Sequence, residues 1–272
     1  MNFLCISNYF NDLDWLLEYN NPHVIYHKTW NGVFEDIKGL KVIQPLELEE
    51  KYPTFNIKNG SQNGYNIYDY LSFIIENYEN LPDVTAFIKG NLIGRHISKV
   101  IFDKLIHNKY FTCIEDWKSH DKKQRSLQNN YAMFSCDGGW MEKNTDWYLN
   151  RPNQTIKFFN SYNQFLSFCF KDPVYPKYIR FPPGANFIVP KENILKYQKI
   201  FYQNLIKFVE YSRLPSEAHI LERALYTIWN CNFEVSESMK QPLDSNNLPS
   251  PEKLGFTPRR FALKLRQFLL KN

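Results

Sequence analysis

Residues 216–229 read SEAHILERALYTIW, and four of these side chains can do acid–base or anion chemistry. Glu217 and Glu222 carry carboxylates, His219 an imidazole and Arg223 a guanidinium. On a helix, Ser216 would be the N-cap and Glu217 would lie in the first turn, where the helix dipole favours an anion. Ala218, Leu221, Leu225 and Ile228 recur at helical spacing, so that face is expected to be buried. His219, Glu222, Arg223 and Tyr226 fall three or four apart on the other side and can touch. Spacing alone fits a solvated network around a structural Glu–Arg pair as readily as a catalytic helix.

Three other stretches carry chemistry. In CDGGW (136–140) Asp137 offers a carboxylate, Gly138 and Gly139 permit close backbone approach, and Trp140 offers a flat apolar face. A glycine hairpin over a buried Trp is the plainer reading. FIKGN (87–91) places Lys89 and Asn91 where a strand gives way to a turn, the position at which open α/β sheets bind ligands. Lys89 is suited to a diphosphate as a point charge, and a solvated turn lysine is the alternative. FPPGANFIVP (181–190) reads as a rigid turn before an apolar strand and fits either a cleft wall or a plain turn. The chain has no G-x-x-x-x-G-K-[ST], G-x-G-x-x-G, G-x-S-x-G or H-E-x-x-H, so phosphate-loop, Rossmann, hydrolase-elbow and zincin chemistry lose their main support.

The elements that must position these residues follow from periodicity. NFLCIS (2–7), HVIYHK (23–28), LKVIQP (40–45) and LPDVTAFIKGN (81–91) read as strands. DLDWLLEY (12–19), with Asp12 as N-cap, and IYDYLSFIIENY (67–78) read as helices. Strand–helix–strand alternation implies an α/β fold with a mostly parallel sheet. Residues 107–180 mix short strands with aromatic loops, and a helix capped near Pro190 and Lys191 follows. The Pro/Ser/Asn-rich stretch from 233 reads as a linker, and RRFALKLRQFLLKN as a basic amphipathic helix. The expected organisation is one domain over 1–232 and an appendage over 233–272.

The chain has 272 residues, 43% of them hydrophobic, enough for a full core. A net charge of +5 is too mild to argue for nucleic acid. Aromatics reach 17%, which suits sugar and nucleotide sites as well as a bulky core. Five cysteines without a CxxC read as reduced thiols, and no signal peptide or membrane-spanning run is evident, so a cytoplasmic protein is expected.

Two resemblances sharpen this. SEAHILERAL resembles the helix of GT-A type glycosyltransferases in which an acid opens the helix, followed by Leu and Arg, here Glu217, Leu221 and Arg223. It implies that Glu217 is the base that deprotonates the acceptor hydroxyl and that Arg223 positions the helix or the donor phosphates. NDLDWL, YLSFIIENYENLPDVTAFIKGN, PGANFIVPKENIL and EAHILERAL together are similar to a glycosyltransferase-like family of bacterial surface-polysaccharide loci, fungi and large viruses. That likeness spans residues 3 to about 230. It implies a single GT-A-like, Rossmann-like domain and inverting sugar transfer from a nucleotide-sugar to a capsular or cell-surface glycan. Glu217, Arg223 and Asp137 would be catalytic. Ser7, Asn8, Tyr9, Lys89, Asn91 and Arg95 would bind the donor, and Gly138, Gly139, Trp140, His219 and Glu222 the acceptor.

The sequence departs from the GT-A pattern where Asp-x-Asp would hold Mn²⁺ or Mg²⁺, since Lys89-Gly90-Asn91 stands there. Either Lys89 and other cations replace the metal, or Asp116 or Asp137 supplies a ligand. Tyr65-Asn66 also replaces the Arg-Glu pair usual before the second helix. The basic helix at 257–272 suits an anionic membrane surface bearing a lipid-linked acceptor, on the inner face of the cytoplasmic membrane. The alternatives are a glycan- or nucleotide-binding module without catalysis and a membrane-docked scaffold.

Overall fold

A computed structural model describes residues 1–28, 45–116, 132–134, 138–150 and 154–251. In chain order its strands are β1 (Phe3–Tyr9), β2 (His23–Lys28), β3 (Ile57–Asn59), β4 (Val84–Lys89), β5 (Thr112–Cys113), β6 (Ala132–Phe134), β7 (Trp140–Lys143), β8 (Tyr178–Phe181) and β9 (Phe187–Pro190). The α-helices are α1 (Pro45–Lys51), α2 (Tyr65–Asn77), α3 (Lys99–Leu105), α4 (Tyr162–Cys169), α5 (Lys191–Ile194), α6 (Lys199–Lys207) and α7 (Glu217–Asn230). The expected strand at 40–45 (apart from Pro45, which begins α1), the carboxylate of Asp137 and the basic helix at 257–272 lie outside the described residues.

Six strands form the main sheet in the order β3-β2-β1-β4-β9-β5. The β3–β2, β2–β1 and β1–β4 pairs are parallel, and β9 runs antiparallel to both neighbours. The mixed α/β, mostly parallel expectation therefore holds. The third strand is the short 57–59 segment, where the sequence shows no clear alternation. A separate sheet, β6-β7-β8, is antiparallel throughout.

Side-chain alternation divides the core into two layers. Leu4, Ile6, Ile25, Ala86, Ile88 and Ile188 face one way, toward α1 and α3. Cys5, Val24, Tyr26, Phe87, Phe187 and Val189 face the other way, toward α2, α6 and α7. The segment expected as a helix at 12–19 is a 3₁₀ turn over Asp14–Glu18, and Asp12 accepts from the Asp14 N–H at 2.9 Å. Residues 233–248 are a correction to the expected linker. Met239 and Leu243 sit in the core, Leu248 packs against it, and Asn204 donates to the Met239 and Gln241 carbonyls.

Candidate functional site

β2 and β3 lie on one side of β1 and β4 on the other, so the chain reverses its direction of winding between β1 and β4. In open α/β sheets a crevice opens at the carboxyl ends of such a strand pair. Here Ser7 is in register with Lys89, and Asn8 with His27. Alternation places Ser7, Lys28 and Lys89 on the α2 side and Asn8 and His27 on the α1 side.

Under the crevice, on the α2 side, Ser7 Oγ donates to Asp69 Oδ2 at 2.5 Å, and Lys28 Nζ stands 3.1 Å from Asp69 Oδ1. All three are fully buried. Lys28 also donates to the Asn63 and Tyr65 carbonyls at 3.2 and 2.5 Å, so it ties the end of β2 to the start of α2. Burial pushes the Asp69 carboxyl up to about 6, against the opposing pull of Lys28 and Ser7. On the α1 side, Asn8 Nδ2 lies 3.0 Å from the Asn11 carbonyl and 3.2 Å from His27 Nδ1. A Cβ on Gly90 would come within 2.0 Å of Asn8 Oδ1, so only glycine lets the β4 turn close on β1.

Lys89 stands at the mouth. Its backbone N–H is held by Asn186 Oδ1 at 3.1 Å, and its ammonium makes no hydrogen bond or ion pair with any described residue. Desolvation, followed by the charge of Arg95, lowers its pKa to about 8. Arg95 is exposed. The buried Oδ1 of Asn91 likewise has no hydrogen-bond partner among the described residues. The far wall is the 182–186 turn, where Gly184 and Ala185 both take left-handed backbone, at φ +80° and +52°. Phe10 and Tyr65 do the same where β1 leaves the sheet and α2 begins. Non-glycine residues in that region store strain of about 1–3 kcal/mol each and gather at functional sites. Of the five such residues among those described, Phe10, Tyr65 and Ala185 lie at this end of the sheet.

Helix α7 supplies the carboxylate of the crevice, and it is Glu222. Its Oε1 accepts from the Gly184 N–H at 2.6 Å, its Oε2 from Arg223 at 3.1 Å, and its side chain is 20% exposed. Burial raises the Glu222 carboxyl, but the His219 contact, the Arg223 and His219 charges and the Gly184 amide together hold it down at about 2. His219 Nδ1 lies 3.7 Å from Glu222, and its Nε2 lies 2.7 Å from the Gln154 side-chain nitrogen.

Glu217 is a correction. It is fully buried; Oε1 accepts from the N–H groups of Lys157, Phe158 and Phe159 at 2.8, 2.6 and 3.3 Å, and Oε2 from the Tyr211 hydroxyl. Both oxygens are committed to the protein, which leaves no face for an acceptor hydroxyl, so this carboxylate anchors the 157–159 segment. Ser216 is also corrected: it is helical, at φ −62° and ψ −29°, and its hydroxyl makes no cap hydrogen bond. Arg223 is buried too. Nε and NH2 hold Glu142 at 2.8 and 3.1 Å, and its guanidinium carbon stands 3.7 Å over the Tyr148 ring. It reaches the crevice only through Glu222.

The expected acceptor loop lies elsewhere. A Cβ on Gly138 would meet the Cys113 carbonyl at 2.7 Å, and one on Gly139 the Arg180 Nε at 3.0 Å, so these glycines admit close approach to the chain itself. Trp140 pairs with Phe134 and Phe181 in the small sheet. The crevice thus gathers Ser7, Asn8, Lys89, Asn91 and Glu222 from the expected set and leaves Gly138, Gly139 and Trp140 outside. Sequence reasoning missed Lys28, Asp69, Asn186 and Asn66, whose Nδ2 donates to the Gly184 carbonyl at 2.8 Å. Lys28 ends a strand just as Lys89 does, and that signal could have found it.

Fold and site define a class: an α/β protein with a cluster of polar and cationic side chains at the switch point of a mostly parallel sheet. The chain belongs to the family described as "Protein of unknown function (DUF3431)", which it matches over residues 11–246. No curated protein and no solved structure matches it. Among the described residues, no helix is long and apolar enough to cross a membrane, and no three His, Cys, Asp or Glu side chains are grouped to hold a metal ion.

Proposed function

We propose that the crevice binds the diphosphate of a nucleotide-sugar and that the protein transfers the sugar to a glycan hydroxyl. The observation that carries this reading is the ammonium of Lys89, at the carboxyl end of β4 beside β1, which has no hydrogen-bond or ion-pair partner among the described residues. A half-buried cation without a counter-ion among the described residues is costly, and an anionic ligand reduces that cost. In this reading the acceptor oxygen bonds to the anomeric carbon as the bond from that carbon to the diphosphate oxygen breaks. The electron pair leaves on that oxygen, which Lys89 stabilises. Glu222 accepts a hydrogen bond from the attacking hydroxyl, whose proton passes through this carboxylate to solvent. With its pKa held at about 2, Glu222 is a weak base, suited to a transition state in which the leaving group departs early. In this reading Lys89 and Arg95 neutralise the diphosphate, with or without Mn²⁺ or Mg²⁺ held by Asp116 or Asp137.

The sealing of Glu217 favours a second reading, a glycan- or nucleotide-binding module without turnover. In the transfer reading the acceptor is a glycan, lipid-linked if the basic segment at 257–272 meets a membrane surface.

The test is a thermal-shift series with UDP-, GDP-, CMP- and dTDP-sugars, with and without Mn²⁺, on the native protein and on Lys89→Met. One nucleotide class should raise the native midpoint by mass action, and Lys89→Met should lose that rise. No rise with any donor, or an equal rise in the variant, removes the proposal. Release of free nucleotide on adding an acceptor separates the enzyme from the binding module.

A further inference from the structure

Glu222, Tyr226 and Asn230 recur every four residues along one face of α7, so they form a rail about 12 Å long leading away from the crevice. At its far end lies a groove of about 390 Å³ between α7, the edge strand β5 and β8. Its walls combine aromatic faces with planar polar groups. Tyr110 stands at the rim, 80% exposed. Phe111 meets Tyr226 edge-on at 5.6 Å between ring centroids, and the Arg180 guanidinium carbon lies 5.0 Å from the centre of the Tyr226 ring. Asn230 is exposed and donates to the Tyr226 hydroxyl at 3.2 Å, leaving its side-chain carbonyl for a ligand. Gly139 approaches Arg180 from behind, which brings the 138–140 loop to this wall.

We infer that this groove is a carbohydrate subsite that holds the non-reacting sugars of an oligosaccharide acceptor whose reacting end lies at Glu222. Pyranose rings present C–H faces to aromatic side chains and hydroxyl pairs to planar amides, and the groove offers both. A rail of about 12 Å accommodates two to three sugar units along its length. The inference rests on the sugar-transfer reading for the position of the reacting end, but the groove's chemistry is independent of Lys89.

The test is saturation-transfer NMR with a panel of glucose-, galactose- and N-acetylglucosamine-based di- to tetrasaccharides. The proteins are the native chain, Tyr110→Ala and Asn230→Ala, both exposed positions whose replacement leaves the core intact. At least one trisaccharide or tetrasaccharide should show transfer, and each variant should bind it about tenfold more weakly. Transfer from no member of the panel, or affinities unchanged in both variants, overturns the inference. Nucleotide-sugar thermal shifts on the same two variants separate the proposals. A retained donor shift with lost saccharide binding supports both. Lost saccharide binding without any donor shift in the native protein supports the groove and refutes the donor crevice.

Discussion

At the scale of single residues, two carboxylates on one helix have opposite fates. Glu217 is locked by three backbone N–H groups and a tyrosine hydroxyl, whereas Glu222 keeps an exposed edge at the crevice. Glu217→Ala strands buried donors and should cost about 2–4 kcal/mol in denaturant unfolding. Glu222→Gln gives up a carboxylate whose pKa His219, Arg223 and the Gly184 amide hold at about 2, so it should cost about 2–3 kcal/mol of stability without unfolding the protein, and abolish nucleotide release in the presence of acceptor. If Glu217→Gln removes turnover with an unchanged unfolding curve while Glu222→Gln stays active, the two roles are reversed. Lys89 adds a pH dependence to its own test. Its pKa lies at about 8, below the usual lysine value, so the charged form that binds anions is present below pH 8. Donor affinity should therefore fall by about tenfold per pH unit above 8 in the native protein. Stability moves the other way: the native state releases this proton more readily than the unfolded chain, so the Lys89 contribution rises as pH passes from about 8 toward 10.5.

At the scale of elements, the ion pair between Arg223 on α7 and Glu142 on β7 joins the small sheet to the helix that bears Glu222. Both side chains are buried, at 5% and 1% exposure, and the guanidinium also rests on Tyr148 and Phe181. Removing Glu142 takes away the two-armed partner of a buried guanidinium and leaves it the single ion-pair contact to Glu222, so Glu142→Ala should cost about 3–5 kcal/mol by chemical denaturation. A loss under about 1 kcal/mol would mean that Glu222 and the aromatic cage suffice to hold Arg223. The strands β1, β2 and β4 were legible as short apolar runs buried on both faces, and the helices α2 and α7 because each buries one face and so imposes the helical period on the sequence. The 3₁₀ turn at Asp14–Glu18 has helical spacing too, but one turn is too short for periodicity to distinguish it from an α-helix.

For the whole molecule, the folded body extends past the expected boundary at 232. Phe233, Val235, Met239, Leu243 and Leu248 all join or line the main core, although the surrounding Pro, Ser and Asn residues read as a linker. A chain ending at 232 loses these core side chains and should not fold, as circular dichroism melts against the full chain would register. Equal melts for the two would return 233–248 to the role of a tail.

Sequence alone determined the α/β class, the parallel half of the sheet and the strand ends at which Ser7, Asn8 and Lys89 lie. These depend on local periodicity and on the general rule that ligands meet parallel sheets at their carboxyl ends. Tertiary structure alone decided which acid of α7 serves the crevice. Glu217 and Glu222 are five residues apart, so they point about 140° away from each other around the helix axis. Which direction is inside depends on the distant 157–159 segment that seals Glu217 and on the 182–186 turn that receives Glu222. Likewise Arg223 found Glu142 across 81 residues of chain, a pairing that no spacing along the sequence encodes.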